Sequence, residues 1–336
     1  MKLGYPSFYK EFRCTAGACP DSCCKDWDVE VDAESEARYR SLNTELGALL
    51  RQHLYEEEGH TYLAFPKGRC PVQRGDGLCR LQAELGESAL CATCREFPRI
   101  VQDYGDFQEH LLELSCPEAA RLLLEQTHLT LVEEEAPGTD QGDYDREVLD
   151  ILRRRRPQLM AMLENGACPV NQRLALLLLW GYQLQGEVDG AEPMDFDMEE
   201  GLKTLKALEG AGDARALLDF FSELEILTPR WKALLEDPNP QPHWFPQLAL
   251  VAEYGLYRYL YQSVSDYDVV GRVKLVVTGC IVMALLGGET AQRRQEAVYR
   301  YSREIENDAE NVDTILDGAY THPALTDRNL LGLLLG

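Results

Sequence analysis

From about residue 145 onward, apolar residues recur at the three- and four-residue spacing of helices that bury one face. The pattern predicts helices over 145–164, 170–186, 198–208, 212–226, 229–235, 246–264, 268–287, 290–307, 309–318 and 325–334. They are separated by turn formers: Asn165-Gly166, the stretch Gly190 to Pro193, the stretch Gly210 to Gly212, and a connector containing Pro238, Pro240 and Pro242, which forbid helix. The first 116 residues read differently. Their periodicity is broken by glycines and short turns, and helices are predicted only over Ala33–Tyr55 and Leu81–Leu90. Cys116-Pro117 then opens another over Glu118–Gln126, since proline's missing N–H costs nothing in a first helical turn. Strand signals are confined to Val29–Val31 and Tyr62–Phe65. The expected fold is mainly α: a cysteine-rich, metal-binding region over 1–130 with short strands at most, packed against a helical region over 146–336. Between them, 131–145 reads as an acidic linker, marked by Glu133-Glu134-Glu135, Pro137, Gly138, Asp140, Gly142 and Asp143.

Charge narrows the partners. The chain of 336 residues carries 57 acidic and 33 basic side chains, a net charge of −24. Such a surface repels phosphates, which argues against nucleic acid and anionic lipid. No apolar segment of a secretion signal follows Met1-Lys2-Leu3-Gly4, and Arg272 and Lys274 interrupt the longest apolar stretch, Val269 to Leu286. The expectation is a cytoplasmic protein with no membrane partner.

Cysteine usage changes the picture most. Nine of the 11 cysteines are Cys14, Cys19, Cys23, Cys24, Cys70, Cys79, Cys91, Cys94 and Cys116; only Cys168 and Cys280 follow. In a reducing compartment, clustered cysteines point to metal or catalysis more than to disulfides. A soft metal needs several thiolates converging on one point, with short loops wrapping it and distant segments closing the shell. Buried apolar thiols explain one or two cysteines, not nine within 116 residues. Zinc and iron–sulfur both remain open: only Cys91 and Cys94 have the paired spacing zinc favours, whereas iron–sulfur clusters accept more varied spacing.

The motifs Phe12-Arg13-Cys14, Cys19, Asp21-Ser22-Cys23-Cys24 and Trp27 are followed by Cys70-Pro71, Gly77-Leu78-Cys79-Arg80-Leu81-Gln82 and Leu85-Gly86. Next come Thr93-Cys94-Arg95, Phe97-Pro98-Arg99 and Leu114-Ser115-Cys116-Pro117-Glu118-Ala119-Ala120-Arg121, then Tyr301-Ser302-Arg303-Glu304-Ile305-Glu306 and Asn311. In these the chain resembles the flagellin lysine-N-methylase family (FliB). It is also similar to the broader YkgJ-like zinc- or iron-chelating cysteine-cluster type. The first resemblance implies transfer of methyl groups from S-adenosylmethionine to lysines of flagellin, with a [4Fe–4S] cluster on the cysteine motif. The donor would bind outside an ordinary methyltransferase domain, since no glycine-rich loop follows a strand. Cys19 and Cys23 begin a Cys-x3-Cys-x2-Cys pattern, but Asp26 stands at its third position. Two alternatives stay open: an electron-transfer or metal-binding module without methyltransferase activity, and a structural zinc protein that recruits partners.

Other residues are weighed against plainer roles. Asp21 and Trp27 flank the first cysteine run and would order its loop, or simply pack. Arg95 and Arg99 would offset cluster charge or hold a carboxylate, or form surface ion pairs. Arg303 and Glu306 share a helical face; one carboxylate of Glu304 and Glu306 lines the active site, or the run is a solvated face. Tyr254, Tyr257 and Tyr261 form a stripe beside Arg258, a guide for a lysine side chain by cation–π contact or, on periodicity, core. The run Arg153 to Arg156 reads as a charge-balanced surface. The histidines show no ligand spacing.

Overall fold

The computed structural model describes residues 1–25, 27–138, 142–208 and 210–336. Asp26 and Asp140, which entered the reading of the motif and of the linker, lie outside the described residues. The strands are β1 (Lys2–Pro6), β2 (Val29–Glu30), β3 (Leu54–Glu57), β4 (His60–Leu63), β5 (Arg99–Asp103), β6 (Phe107–Leu112) and β7 (Leu131–Glu135). The helices of the first region are α1 (Ala33–Ser41), α2 (Glu45–His53), α3 (Arg80–Leu85), α4 (Ala92–Glu96) and α5 (Pro117–Leu124). Those of the second are α6 (Arg146–Leu163), α7 (Val170–Val188), α8 (Met198–Ala207), α9 (Ala214–Glu223), α10 (Pro229–Glu236), α11 (Leu248–Tyr259), α12 (Ser263–Asp266), α13 (Val269–Leu286), α14 (Ala291–Tyr301), α15 (Ala309–Thr321) and α16 (Asp327–Leu335).

The fold is mainly α, with more strand than the pattern predicts. One sheet has the order β5-β6-β1-β7, with β1 parallel to β6 and antiparallel to β7; the other has the order β2-β4-β3. The expected helix over Ala33–Tyr55 divides. Asp32 caps α1 through the Ser35 N–H, and Thr44 caps α2 through the Gly47 N–H. A Cβ at Gly47 would stand 2.1 Å from the Leu42 carbonyl oxygen, so only glycine lets the chain turn that tightly. The end of the predicted helix is instead β3, joined to β4 through Glu58 and Gly59, both at positive φ as a tight hairpin turn requires.

The glutamates of the expected linker begin as an edge strand. β7 pairs along β1, and Lys2 and Lys10 meet Glu133 and Glu134 at 3.3 and 2.8 Å. An edge strand tolerates such charges because one side faces water.

Two cores result. The smaller gathers Val29, Val31, Tyr39, Leu46, Leu50, Leu63, Phe65, Cys70, Leu81 and Cys91. The larger takes Phe8, Phe12 and the 107–129 stretch together with the C-terminal helices. At its centre lies α13, every residue of which is buried. By length and composition this helix passes for a membrane span, yet it packs wholly within the protein against α7, α11, α14 and α15. Lys274 survives there because its ammonium donates to the Ala319 carbonyl at 2.7 Å and pairs with Asp327 at 2.8 Å.

The arginine run of α6 is a correction to the surface reading. Arg155 and Arg156 are buried. Arg155 meets Glu187 at 2.7 Å, and Arg156 donates to Glu109 of β6 at 2.9 Å while lying 3.6 Å from the Tyr261 ring centre. The tyrosine stripe is core. The Tyr254 hydroxyl accepts from the Leu112 N–H and donates to the Leu112 carbonyl, both at 2.7 Å, which pins α11 to β6.

Glu253, on the same helix, is buried and accepts the Leu129 N–H at 3.1 Å. Burial pushes its carboxyl up to about 7, against the pull of that N–H. The folded state therefore holds a proton that the unfolded chain has released, and stability falls as pH rises from about 4.3 toward 7. Glu253→Gln keeps an acceptor for Leu129 and removes the cost. In urea unfolding at pH 5 and pH 8, the wild type should lose about 3 kcal/mol more between the two than the variant. Equal losses would place the pH dependence elsewhere.

Candidate functional site

The cysteine-bearing loops are short and irregular, and backbone pairing draws them together. The Cys70 N–H donates to the Cys24 carbonyl at 3.0 Å, and Lys25 bridges Arg69. Gln73 donates to the Ser22 hydroxyl at 2.9 Å and bridges Cys79. Three cysteines occupy helix N-caps: Cys79 on α3, Cys91 on α4 and Cys116 on α5. Backbone N–H groups at those helix starts pull the thiol of each toward thiolate.

The sulfurs interact in a chain. Cys23 and Cys24, Cys24 and Cys70, and Cys94 and Cys91 each shift the other's ionisation. Within each pair one thiol is pushed toward thiolate and the other away from it. The neighbouring Cys94 thiol brings Cys91 down to about 7 despite burial, and Cys91 together with burial raises Cys94. Cys70 is likewise lowered by Cys24. Cys24 is lowered by Cys23 but driven up more strongly by Cys70 and burial, to about 12. Cys79 feels Cys23 and Cys91, while Cys19 feels Cys14 and Cys23. Burial raises Cys116 to about 12, with Cys19 and Cys23 adding to the rise. All are free thiols.

Among the described residues, no group of three or more Cys, His, Asp or Glu side chains is placed to hold a metal ion. The thiols influence one another's ionisation in pairs. Their chemistry nevertheless fits a soft metal: the donors are sulfur throughout, they gather from separate segments, and backbone N–H groups face three of them.

The late motif arrives at this loop. Arg303 donates to the carbonyls of Ser22 and Lys25 at 2.9 and 2.8 Å. Asp21, its side chain 1% exposed, faces Arg300 at 3.0 Å and Arg303 at 3.2 Å and pairs with Lys25. Burial alone would raise its carboxyl, but Lys25, Arg303 and Arg300 together hold it below the usual carboxylate value. Arg300 was not singled out in the sequence, although it lies three positions before Arg303 and so shares its helical face. Arg303 itself lies in a short π-helical turn, Ser302–Glu306.

Other candidates part company. Glu304 is fully buried and accepts from the Leu227 and Thr228 backbone at 2.8 and 3.2 Å, fastening the approach to α10. Glu306 pairs with Arg258 at 3.0 Å and accepts from Ser302. Asn311 joins the Glu304 carbonyl to Glu225. Trp27, 38% exposed, donates its indole N–H to the Cys23 carbonyl at 2.7 Å, so it braces the loop more than it fills a core. Arg95 lies 3.8 Å from Glu96, and Arg99 sits over the Phe12 ring at 5.2 Å. Glu113 also went unnoticed in the sequence. It accepts from Ser115, and burial raises its carboxyl against the pull of Arg258.

Beside this loop lies an open cleft of about 780 Å³, with Trp27, Phe65 and Gly68 on one wall and Glu225, Leu227 and Asn307 among the residues of the other.

Asp21→Asn tests the link between loop and helices. Two buried guanidinium groups would lose their shared buried carboxylate, with Glu296 left at 3.9 Å from Arg300, at a cost of about 3 kcal/mol. Backbone amides of 19–25 should then lose exchange protection, and Cys23 and Cys24 should alkylate faster, with α13 unchanged. Equal loss in α13 would make Asp21 a general stability residue.

No family model and no solved structure matches the chain. Curated proteins do. The lysine-N-methylases of Salmonella typhimurium and Salmonella choleraesuis are each 33% identical over 126 residues, 35% of this chain and 31% of theirs. The chain thus spans about a third of the length of those relatives. The flagellar biosynthetic protein FliU of Salmonella muenchen is 34% identical over 127 residues, again 35% of this chain but 75% of FliU. With three quarters of FliU covered at that identity, the chain belongs to the FliB/FliU family of flagellin lysine-N-methylases.

Proposed function

We propose that this protein methylates lysine side chains of flagellin, taking the methyl group from S-adenosylmethionine, with a [4Fe–4S] cluster held by its N-terminal cysteines. The names of its relatives support the reaction and the flagellar substrate. In support of the cofactor, backbone pairing draws the segments of Cys23, Cys24, Cys70 and Cys79 together, and Cys70 and Cys91 share the smaller core, with Cys94 one helical turn on. Those residues are the candidate ligands, with Cys14, Cys19 and Cys116 beside them.

When bound, a cluster with an open iron supplies a Lewis-acidic point for the amino and carboxylate groups of the sulfonium donor. The protein's own residues do the rest. Asp21, Arg300 and Arg303 fix the first cysteine loop against α14, and Trp27 braces it at Cys23. Ligation requires that the thiols release their protons, so metal affinity rises with pH. In polar methyl transfer the neutral lysine nitrogen attacks the methyl carbon, the S–CH3 bond breaks onto sulfur, and the amine proton passes to a carboxylate or to water.

The test is anaerobic purification, metal and sulfide analysis, and labelled methyl transfer to flagellin. About four irons and four sulfides per chain, with a broad shoulder near ~400 nm, are expected of a cysteine-ligated cubane. Cys24→Ser and Cys70→Ser should lose both the colour and the transfer. A colourless zinc protein, or transfer that survives in folded Cys24→Ser/Cys70→Ser protein, would overturn the cluster-dependent reading and favour a structural or binding role.

A further inference from the structure

We propose that the cleft beside the cysteine loop seats the lysine-bearing segment of the protein substrate, with the lysine cation between an aromatic wall and two free carboxylates. This deepens the reading above and rests on it for the choice of lysine. The cleft, of about 780 Å³, is far larger than one side chain and leaves room for a target lysine with its neighbours.

Its position ties it to the chemistry. Trp27 forms part of one wall, and its indole N–H is spent on the Cys23 carbonyl, so the exposed ring is held within a few residues of the thiol set. Phe65, part of the same wall, is fixed by Asp28, whose carboxylate accepts the Phe65 N–H at 2.8 Å and the Tyr55 hydroxyl at 2.9 Å. Phe65 itself is buried in the smaller core, so the open aromatic face of this wall is that of Trp27, and such a face attracts a cation that has shed part of its water.

The acids of the cleft divide by occupation. Asp28 is used in that wall, and Asp308 accepts the Asn311 N–H at 3.0 Å as the cap of α15. Glu225 and Glu310 are exposed, and among the described residues no basic side chain pairs with either carboxylate. Asp21, Glu304 and Glu306 nearby in the fold are all engaged. The cleft therefore presents unspent negative charge and π surface together, a combination that suits an ammonium group and rejects an anionic ligand. The net charge of −24 adds long-range attraction for a basic partner.

The test uses the full chain and a fluorescent peptide carrying flagellin lysines, read by anisotropy, beside the same peptide with its lysines acetylated. Glu225→Gln/Glu310→Gln should weaken binding of the lysine peptide about tenfold at low salt, since each exposed charge contact contributes modestly. Acetylation should weaken wild-type binding at least as much. Glu199→Gln/Glu200→Gln on α8 removes equal charge from a helix that does not line the cleft and should bind as the wild type. Wild-type affinity in the cleft variant, no binding by the wild type, or equal loss in both double variants would each overturn the proposal. Methyl transfer separates it from the reading it rests on. Cleft-dependent binding without transfer by cofactor-loaded wild type would sink the methylase reading alone. Transfer with KM unchanged in Glu225→Gln/Glu310→Gln would sink the cleft alone, whereas the expected variant raises KM and keeps kcat.

Discussion

The buried contact of Asp21 with Arg300 and Arg303 is the constraint on which the arrangement of the site depends. One carboxylate faces two guanidinium groups, and Arg303 also donates to the carbonyls of Ser22 and Lys25. Charges removed from water are tolerated only where each is answered, so this pairing admits few alternative placements of the loop. It holds residues nearly three hundred positions apart in one register. The Cys23-Cys24 pair and the wall bearing Trp27 take their positions from it.

The contact also separates two electrostatic environments. On the side of α14, guanidinium groups face the cysteine loop, where the negative charge of thiolates would gather. On the cleft side the carboxylates of Glu225 and Glu310 have no basic partner among the described residues. Both kinds of charge are presented within a protein whose overall balance is strongly acidic. The positive charge near the cysteines is therefore a local exception, built from a helix face and a π-helical turn.

The helical region was legible because burial imposes a period on sequence. α6, α7, α13 and α15 fall close to the predicted spans, and the cysteines announced their own importance by density. What escaped was long-range. β1, β6 and β7 are stabilised by partners about a hundred residues away, and the charges of β7 looked like those of a linker because an edge strand needs no alternation. Arg155 and Arg156 read as surface because their counter-charges, Glu187 and Glu109, lie on other elements. For the same reason Arg303 could be noticed but not placed. Its partner Asp21 was noticed too, and no local pattern connects them. Glu304 looked like chemistry and spends its oxygens on the backbone before α10.

The stacking of Arg99 on Phe12 has a consequence for how the cysteine segment opens and closes. Phe12 belongs to the large core and precedes the cysteine run; Arg99 opens β5 just after it. The segment between them, which carries every cysteine of the set except Cys116, is thus a loop whose two ends are already closed by the scaffold. Closure lowers the entropy that ordering the segment must overcome. It also isolates the segment, with its own smaller core, as a cooperative unit that can open without melting the helices around α13. Opening of the cysteine segment and global folding become separate equilibria, so a chain whose cysteine loops have opened keeps the platform on which they re-form.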